Sequence, residues 1–123
     1  MLLVDDDAAF RGLAARILVS WGHRVVEAGT VAEALARADE HRPDVVVVDV
    51  GLPDGDGFEL ARELVALRLP LRVVVISTDS AAGNASAARR AGAQGFVPKD
   101  QLLSGDLRLL VDDDDRRPSS GGV

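Results

Sequence analysis

Four consecutive valines, Val45 to Val48, run without a polar break into Asp49. A β-branched run of that length, apolar on both alternating faces, fits a strand covered on both sides, which is the environment inside a parallel sheet. Covered parallel strands need crossover helices. The rest of the chain supplies them. Leu2-Leu3-Val4, Arg24 to Ala28, Val73 to Ile76 and Gly95 to Lys99 read as four more short strands. Between them lie helical patterns. Phe10, Leu13, Ala14, Ile17, Leu18 and Trp21 fall on one helix face, with Gly22 placed to end it. Thr30 with Glu33 reads as a capping box, ahead of Val31, Ala34, Leu35 and Ala38 on the buried stripe of a second helix, and Pro43 lies past its end. A third helix is expected from about Phe58 to Leu67, with Pro70 stopping it.

The order is βα five times. Alternation of this kind predicts an α/β fold: one doubly wound, five-stranded parallel sheet with right-handed crossovers and helices on both faces. Two stretches are weaker helix formers. Residues Ala81 to Ala91 are mostly alanine, with Gly83 and Asn84 inside, and can bury little area. A last helix falls within Gln101 to Val111, with Ser104 as a candidate cap. Residues 112–123, Asp-Asp-Asp-Asp-Arg-Arg-Pro-Ser-Ser-Gly-Gly-Val, carry no apolar period. We expect residues 1–111 to form one domain and 112–123 a mobile, solvated tail.

Composition narrows the function. The chain of 123 residues is 47% hydrophobic, enough for a core, and has no cysteine, so neither disulfides nor thiolate metal sites enter. A net charge of -6 disfavours direct nucleic-acid binding by this domain. No apolar run approaches the ~20 residues of a membrane span, and Met1 leads straight into an apolar strand and then acids, with no signal peptide visible. The expected address is the cytoplasm, with no membrane partner.

The chemistry lies where the apolar runs stop. The first strand delivers Asp5 and Asp6, the third Asp49, the fourth Ser77 and Thr78, the fifth Lys99. Ligands of open parallel sheets bind at these carboxyl ends. Three carboxylates gathered there oppose one another's ionisation unless a cation joins them. Hard oxygen donors favour Mg²⁺, with Mn²⁺ as an alternative. Lys99 adds positive charge and Ser77 a hydroxyl donor, both suited to phosphoryl oxygens, and Asp49 can attack as a nucleophile to give an acyl phosphate.

These segments make the chain resemble the receiver domains of bacterial two-component response regulators. The matching pieces are Leu3 to Asp7, Val45 to Gly57, Val75 to Thr78 and Ala91 to Lys99, in order, and the likeness covers residues 2 to 111. The resemblance implies a flavodoxin-like strand order 2-1-3-4-5. It implies Asp49 as phosphoacceptor and Asp6 as a direct metal ligand. Asp5 would help through water or hydrogen bonding, and the backbone carbonyl of Gly51 would complete the protein ligands. Lys99 would pair with Asp49 or its phosphate. Ser77 would follow the phosphoryl group inward, with Phe96 as the aromatic that changes rotamer. The donor would be a phosphohistidine of a sensor histidine kinase or a phosphotransfer protein. The domain would then be a signalling switch rather than an enzyme, with slow hydrolysis returning it to rest and an output surface around the fourth helix, fifth strand and last helix.

The chain departs from the family at several points. Proline commonly follows the lysine there, often with a cis bond; here Pro98 precedes Lys99 and Asp100 follows it. Pro-Lys-Asp looks like the pattern of receivers joined to helix-turn-helix output domains. Phe96 stands where some subgroups have tyrosine. Gly51 and Asp79, each two residues past a site residue, occupy positions that tune dephosphorylation in the family, and Gly51 offers no shield, so a short-lived phosphoform is expected. Receivers dimerise through the output surface, but an alanine-rich fourth helix and a short last helix leave little apolar area for it. Asp54 and Asp56 read as turn and cap residues, and His23 and His41 receive no role.

Two other classes stay open at this stage. One is a receiver-like interaction module that works without phosphate, against which the intact set Asp5, Asp6, Asp49, Ser77 and Lys99 argues. The other is an aspartate phosphatase, which would carry a second acid two residues after its nucleophile, where Gly51 stands. A flavin-binding module would need a Ser/Thr-rich loop after the first strand, where acids lie instead. The kinase, the stimulus and the output pathway are not encoded in any motif of the chain.

Overall fold

The computed structural model describes residues 1–67, 71–78, 82–101 and 105–112. In chain order these form β1 (Leu2–Val4), α1 (Ala8–Ser20), β2 (Val26–Ala28), α2 (Val31–His41), β3 (Val45–Asp49), β4 (Gly51–Leu52), β5 (Gly55–Asp56) and α3 (Gly57–Ala66). Then come β6 (Arg72–Ser77), α4 (Ala82–Arg90), β7 (Gly95–Pro98), a 3₁₀ turn (Lys99–Gln101) and α5 (Gly105–Asp112). Five strands make one parallel sheet in the order β2-β1-β3-β6-β7. That is the expected 2-1-3-4-5 order, renumbered because β4 and β5 form a small antiparallel hairpin of their own.

The valine run explains the layering. Successive side chains of a strand point to opposite faces. Val46 and Val48 join one cluster with Leu2, Val4, Leu60, Leu64 and Ala88, under α2, α3 and α4. Val45 and Val47 join the other with Leu3, Ala14, Leu18, Leu107 and Val111, under α1 and α5. All five residues of β3 are buried, so the strand is covered on both sides as its sequence requires. Each fully buried leucine of α3 contributes about 1.5–3 kcal/mol relative to exposure.

Helix ends are set by local chemistry. Asp7 caps α1 by accepting from the amides of Ala9 and Phe10, and Gly22 follows that helix at φ 97°. Thr30 caps α2 through the Glu33 amide. The expected reciprocal bond differs by one residue: Glu33 accepts from the Gly29 amide rather than from Thr30. Asp56 caps α3 through Phe58.

Most boundaries differ from the sequence reading by a residue or two, three of them as follows. The second strand begins at Val26, where pairing with Leu2 starts, rather than at Arg24. The third helix spans Gly57–Ala66, one residue earlier at each end. The last helix spans Gly105–Asp112, starting inside the expected stretch and running one residue past its end at Val111, and Gln101 belongs to the 3₁₀ turn instead. The candidate cap Ser104, the stop at Pro70, Asp79 and the tail from 113 onward lie outside the described residues.

Two contacts tie α5 down. The buried Arg72 guanidinium donates to the Leu110 carbonyl. On the other side, the Arg108 guanidinium lies 5.5 Å from the centre of the Trp21 ring at the end of α1. In the part of α4 from Ser86 to Arg90 the one buried side chain is small, Ala88, with Ala91 just past the helix end. That agrees with the low burial expected of its alanine-rich sequence.

Candidate functional site

Register brings the acids together. Val4 lies opposite Val48, so the next residues, Asp5 and Asp49, emerge side by side at the carboxyl edge. Asp49 lies opposite Ile76, and Ser77 opposite Pro98, so Ser77 and Lys99 arrive at the same edge from the next two strands. Asp5 is fully buried, Asp49 and Ser77 are buried, and Asp6 is exposed.

Lys99 binds two of the acids at once. Its Nζ lies 2.6 Å from Asp5 Oδ2 and 3.3 Å from Asp49 Oδ1. The nearer partner is therefore Asp5, where the sequence reading had paired the lysine with Asp49. Asp5 sits deeper, and its other oxygen accepts from the Asp7 amide at 2.9 Å, which aims the carboxylate. Burial raises the Asp49 carboxyl above its ordinary value, and the charge of Asp5 adds to that, against the opposing pull of Lys99. Burial alone would lower the Lys99 ammonium. The hydrogen bond to Asp5 and the charges of Asp49 and Asp5 outweigh it, and the net shift is upward. Lys99 is thus a fixed cation at neutral pH.

Asp5, Asp6 and Asp49 each present one oxygen, all within 4.8 Å of one another. Three carboxylates against one lysine leave a formal excess of two negative charges. An all-oxygen donor set with that excess fits a hard divalent cation such as Mg²⁺. Gly51 lies beside the Asp49 carboxylate: a Cβ there would stand 3.9 Å from Asp49 Oδ2. Phe96 is half-buried on β7 and packs against the cluster under α2, α3 and α4. No cis peptide bond occurs among the described residues, and the Val97–Pro98 bond is trans.

Several contributors were not singled out in the sequence. Phe10, read as a core position of α1, lies under the lysine, with Nζ 4.5 Å from its ring centre. Arg11 donates to the Asp5 carbonyl at 2.6 Å and pairs with Glu27 at 2.9 Å, bracing the acidic loop against β2. Gly57, read as a turn residue, has no room for a side chain: a Cβ would fall 2.1 Å from the Asp49 carbonyl oxygen. The signal for Phe10 was its place one turn after the acids. Arg11 and Gly57 carried none that a single sequence separates from ordinary surface and loop residues.

A five-stranded parallel sheet with buried acids and a lysine gathered at its carboxyl edge matches a known class of protein. Residues 1–108 match the response regulator receiver domain, and the chain belongs to that family. It is 43% identical over 102 residues to the DNA-binding transcriptional activator DevR/DosR of Mycobacterium tuberculosis, covering 81% of this chain and 47% of that protein. The signal receiver domain of the response regulator NarL from Mycobacterium tuberculosis superposes with a TM-score of 0.81 at 31% identity, covering 94% of this chain and 95% of that one. A Burkholderia pseudomallei response regulator, solved with a phosphorylated aspartic acid, a calcium ion and citrate, superposes with a TM-score of 0.80 at 26% identity. That match covers 94% of this chain and 71% of that one. The chain spans about half the length of the first curated relatives it matches. Receiver domains are signalling switches of two-component systems rather than enzymes in the ordinary sense, and they bind Mg²⁺ at an acidic pocket. No helix among the described residues is long and apolar enough to cross a membrane.

Proposed function

We propose that this receiver accepts a phosphoryl group on Asp49 from a phosphohistidine of a sensor histidine kinase or phosphotransfer protein. The observation that carries the reading is the bridging lysine: Lys99 holds Asp5 and Asp49 together at 2.6 Å and 3.3 Å, beside a third carboxylate. Asp5, Asp6, Asp49 and the Gly51 carbonyl would hold Mg²⁺. Bound there, the ion supplies charge neutralisation for phosphoryl oxygens and a clamp for in-line transfer.

The chain's own groups do the rest. An Asp49 carboxylate oxygen forms the new P–O bond while the P–N bond to the donor imidazole breaks, and the imidazole nitrogen keeps the electron pair. Lys99 offsets charge on the phosphoryl oxygens, held in place by Asp5. The Ser77 hydroxyl donates to a phosphoryl oxygen, and its inward shift leaves space that Phe96 fills by changing rotamer. Hydrolysis of the acyl phosphate by water returns Asp49 and releases phosphate. The shift in population is read at α4, β7 and α5, where the thinly anchored α4 is the element that moves. We assign residues 1–112, through the end of α5, to this domain, one residue beyond the expected boundary at 111, in a cytoplasmic protein whose output domain or partner lies elsewhere. In this reading the domain itself contacts neither nucleic acid nor membrane, and its output surface is poorly suited to dimerisation. The Burkholderia pseudomallei response regulator of the same fold, solved with a phosphorylated aspartic acid and a calcium ion, supports the reading that an aspartate takes the phosphoryl group.

Intact mass after incubation with acetyl phosphate and Mg²⁺ tests the reading. One added phosphoryl group is expected, absent in Asp49→Ala and absent without Mg²⁺. No adduct together with no Mg²⁺ binding would favour a phosphate-independent interaction module.

A further inference from the structure

The start of α2 has an uneven division of labour. A helix opens with amides that lack intrahelical partners. In α2 the Ala34 amide already reaches the Thr30 carbonyl, so Val31, Ala32 and Glu33 need outside acceptors. Thr30 Oγ1 serves Glu33 at 3.0 Å. The other two amides donate to Asp54, Val31 to one carboxylate oxygen at 2.7 Å and Ala32 to the other at 3.1 Å. Asp54 comes from another part of the chain: it sits in the turn of the β4–β5 hairpin.

That hairpin consists of two strands of two residues each, Gly51 opposite Asp56 and Leu52 opposite Gly55. So short a ribbon has no stability of its own. It is held by what it touches. Leu52 enters the core under α2, and Gly55 lies so close to Val31 that a Cβ would meet its methyl at 2.9 Å. At its tip the carboxylate of Asp54 takes both amides. At its base is Gly51, beside the Asp49 carboxylate.

We propose that Asp54 is a positioning residue for metal binding: by bolting the hairpin tip to the first two amides of α2, it fixes where Gly51 presents its carbonyl beside Asp49. The inference rests on the proposed function, in which Gly51 is a metal ligand. The Val31 amide foremost, with the Ala32 amide, holds the Asp54 carboxyl below its ordinary value, so the clamp is closed at neutral pH. Groups that orient ligands from outside the coordination sphere commonly change metal affinity by tenfold or more when removed.

The test is Mg²⁺ titration calorimetry on the full chain, paired with the rate of phosphoryl acceptance from acetyl phosphate as a function of Mg²⁺. Asp54→Ala is expected to weaken Mg²⁺ binding about tenfold, while the rate at saturating Mg²⁺ stays close to wild type. Asp54→Asn keeps an oxygen for one amide and recovers part of the affinity. It also serves as the folded comparison if Asp54→Ala is too unstable to titrate. Thr30→Ala removes a cap from the same helix without touching the hairpin, and is expected to bind Mg²⁺ like wild type. Equal weakening in Thr30→Ala and Asp54→Ala would reduce the effect to helix stability and overturn the proposal. So would unchanged affinity in both Asp54 variants with wild type binding Mg²⁺, an outcome that leaves the proposed function standing. A wild type that binds no Mg²⁺ would overturn both.

Discussion

Replacing Lys99 with methionine keeps the unbranched apolar stem and removes the cation that lies 2.6 Å from Asp5 and 3.3 Å from Asp49. The buried carboxylates of Asp5 and Asp49, with oxygens within 4.8 Å and the exposed Asp6 beside them, then face each other with no cation between. At an effective dielectric of about 20, unit charges at that distance repel by roughly 3 kcal/mol. Removing one partner of a buried pair generally costs about 3–5 kcal/mol. Asp49 can take up a proton, which holds the loss toward the lower end. We expect Lys99→Met to be destabilised by about 2–4 kcal/mol at pH 7 in EDTA, measured by urea unfolding followed by far-ultraviolet circular dichroism. Two conditions should shrink the deficit. Saturating Mg²⁺ supplies the missing positive charge. Low pH does so by protonation, with a definite sign. A carboxyl raised in the folded state contributes stability that is complete below its unfolded value of 3.8 and is lost as pH rises through the folded value. Loss of Lys99 raises Asp49 further, so the deficit should open above pH 3.8 and widen toward neutrality. A deficit under about 1 kcal/mol at pH 7, or one indifferent to both Mg²⁺ and pH, would refute this account of the site.

Two glycines supply further tests. Gly57→Ala sets a Cβ against the backbone of Asp49 and Val50, neither of which can turn aside, so α3 must lift from β3. A loss of about 1–3 kcal/mol and slower phosphorylation of Asp49 are expected, read by urea unfolding and by time-resolved intact mass. Gly51 is exposed and leaves the phosphoryl position unshielded, so the phosphoform should decay quickly in Mg²⁺ and Gly51→Asn, which has room beside Asp49, should slow that decay several-fold. A wild-type phosphoform lasting many hours would contradict the first half, and an unchanged decay rate in the variant the second.

The strands were legible because burial on both faces leaves an unbroken apolar run, as in Val45 to Val48 and Val73 to Ile76. The site followed from them, since Asp5, Asp49, Ser77 and Lys99 each stand where such a run stops. The β4–β5 hairpin was not legible: strands of two residues have no period, and Gly51 to Gly57 read simply as turn chemistry. Nor could a sequence show that Asp54 caps a helix that begins 23 residues earlier, or that Lys99 lies nearer Asp5 than Asp49. Both depend on tertiary approach rather than local preference. Phe10 packs against the core under α1 and α5, as its place on the apolar face implies, but that periodicity could not show that Lys99 lies over the ring.

Trp21 is the only tryptophan of the chain, and the group stacked over it belongs to the last helix. The chain thus carries one intrinsic fluorophore, placed where α1 meets α5. The positive charge of the Arg108 guanidinium 5.5 Å from the ring makes the emission wavelength of unlabelled protein depend on the seating of α5 on α1. If α4 alone moves, a stopped-flow trace on adding a phosphodonor should stay flat while mass arrives on Asp49, and a change in emission would show that α5 shifts as well.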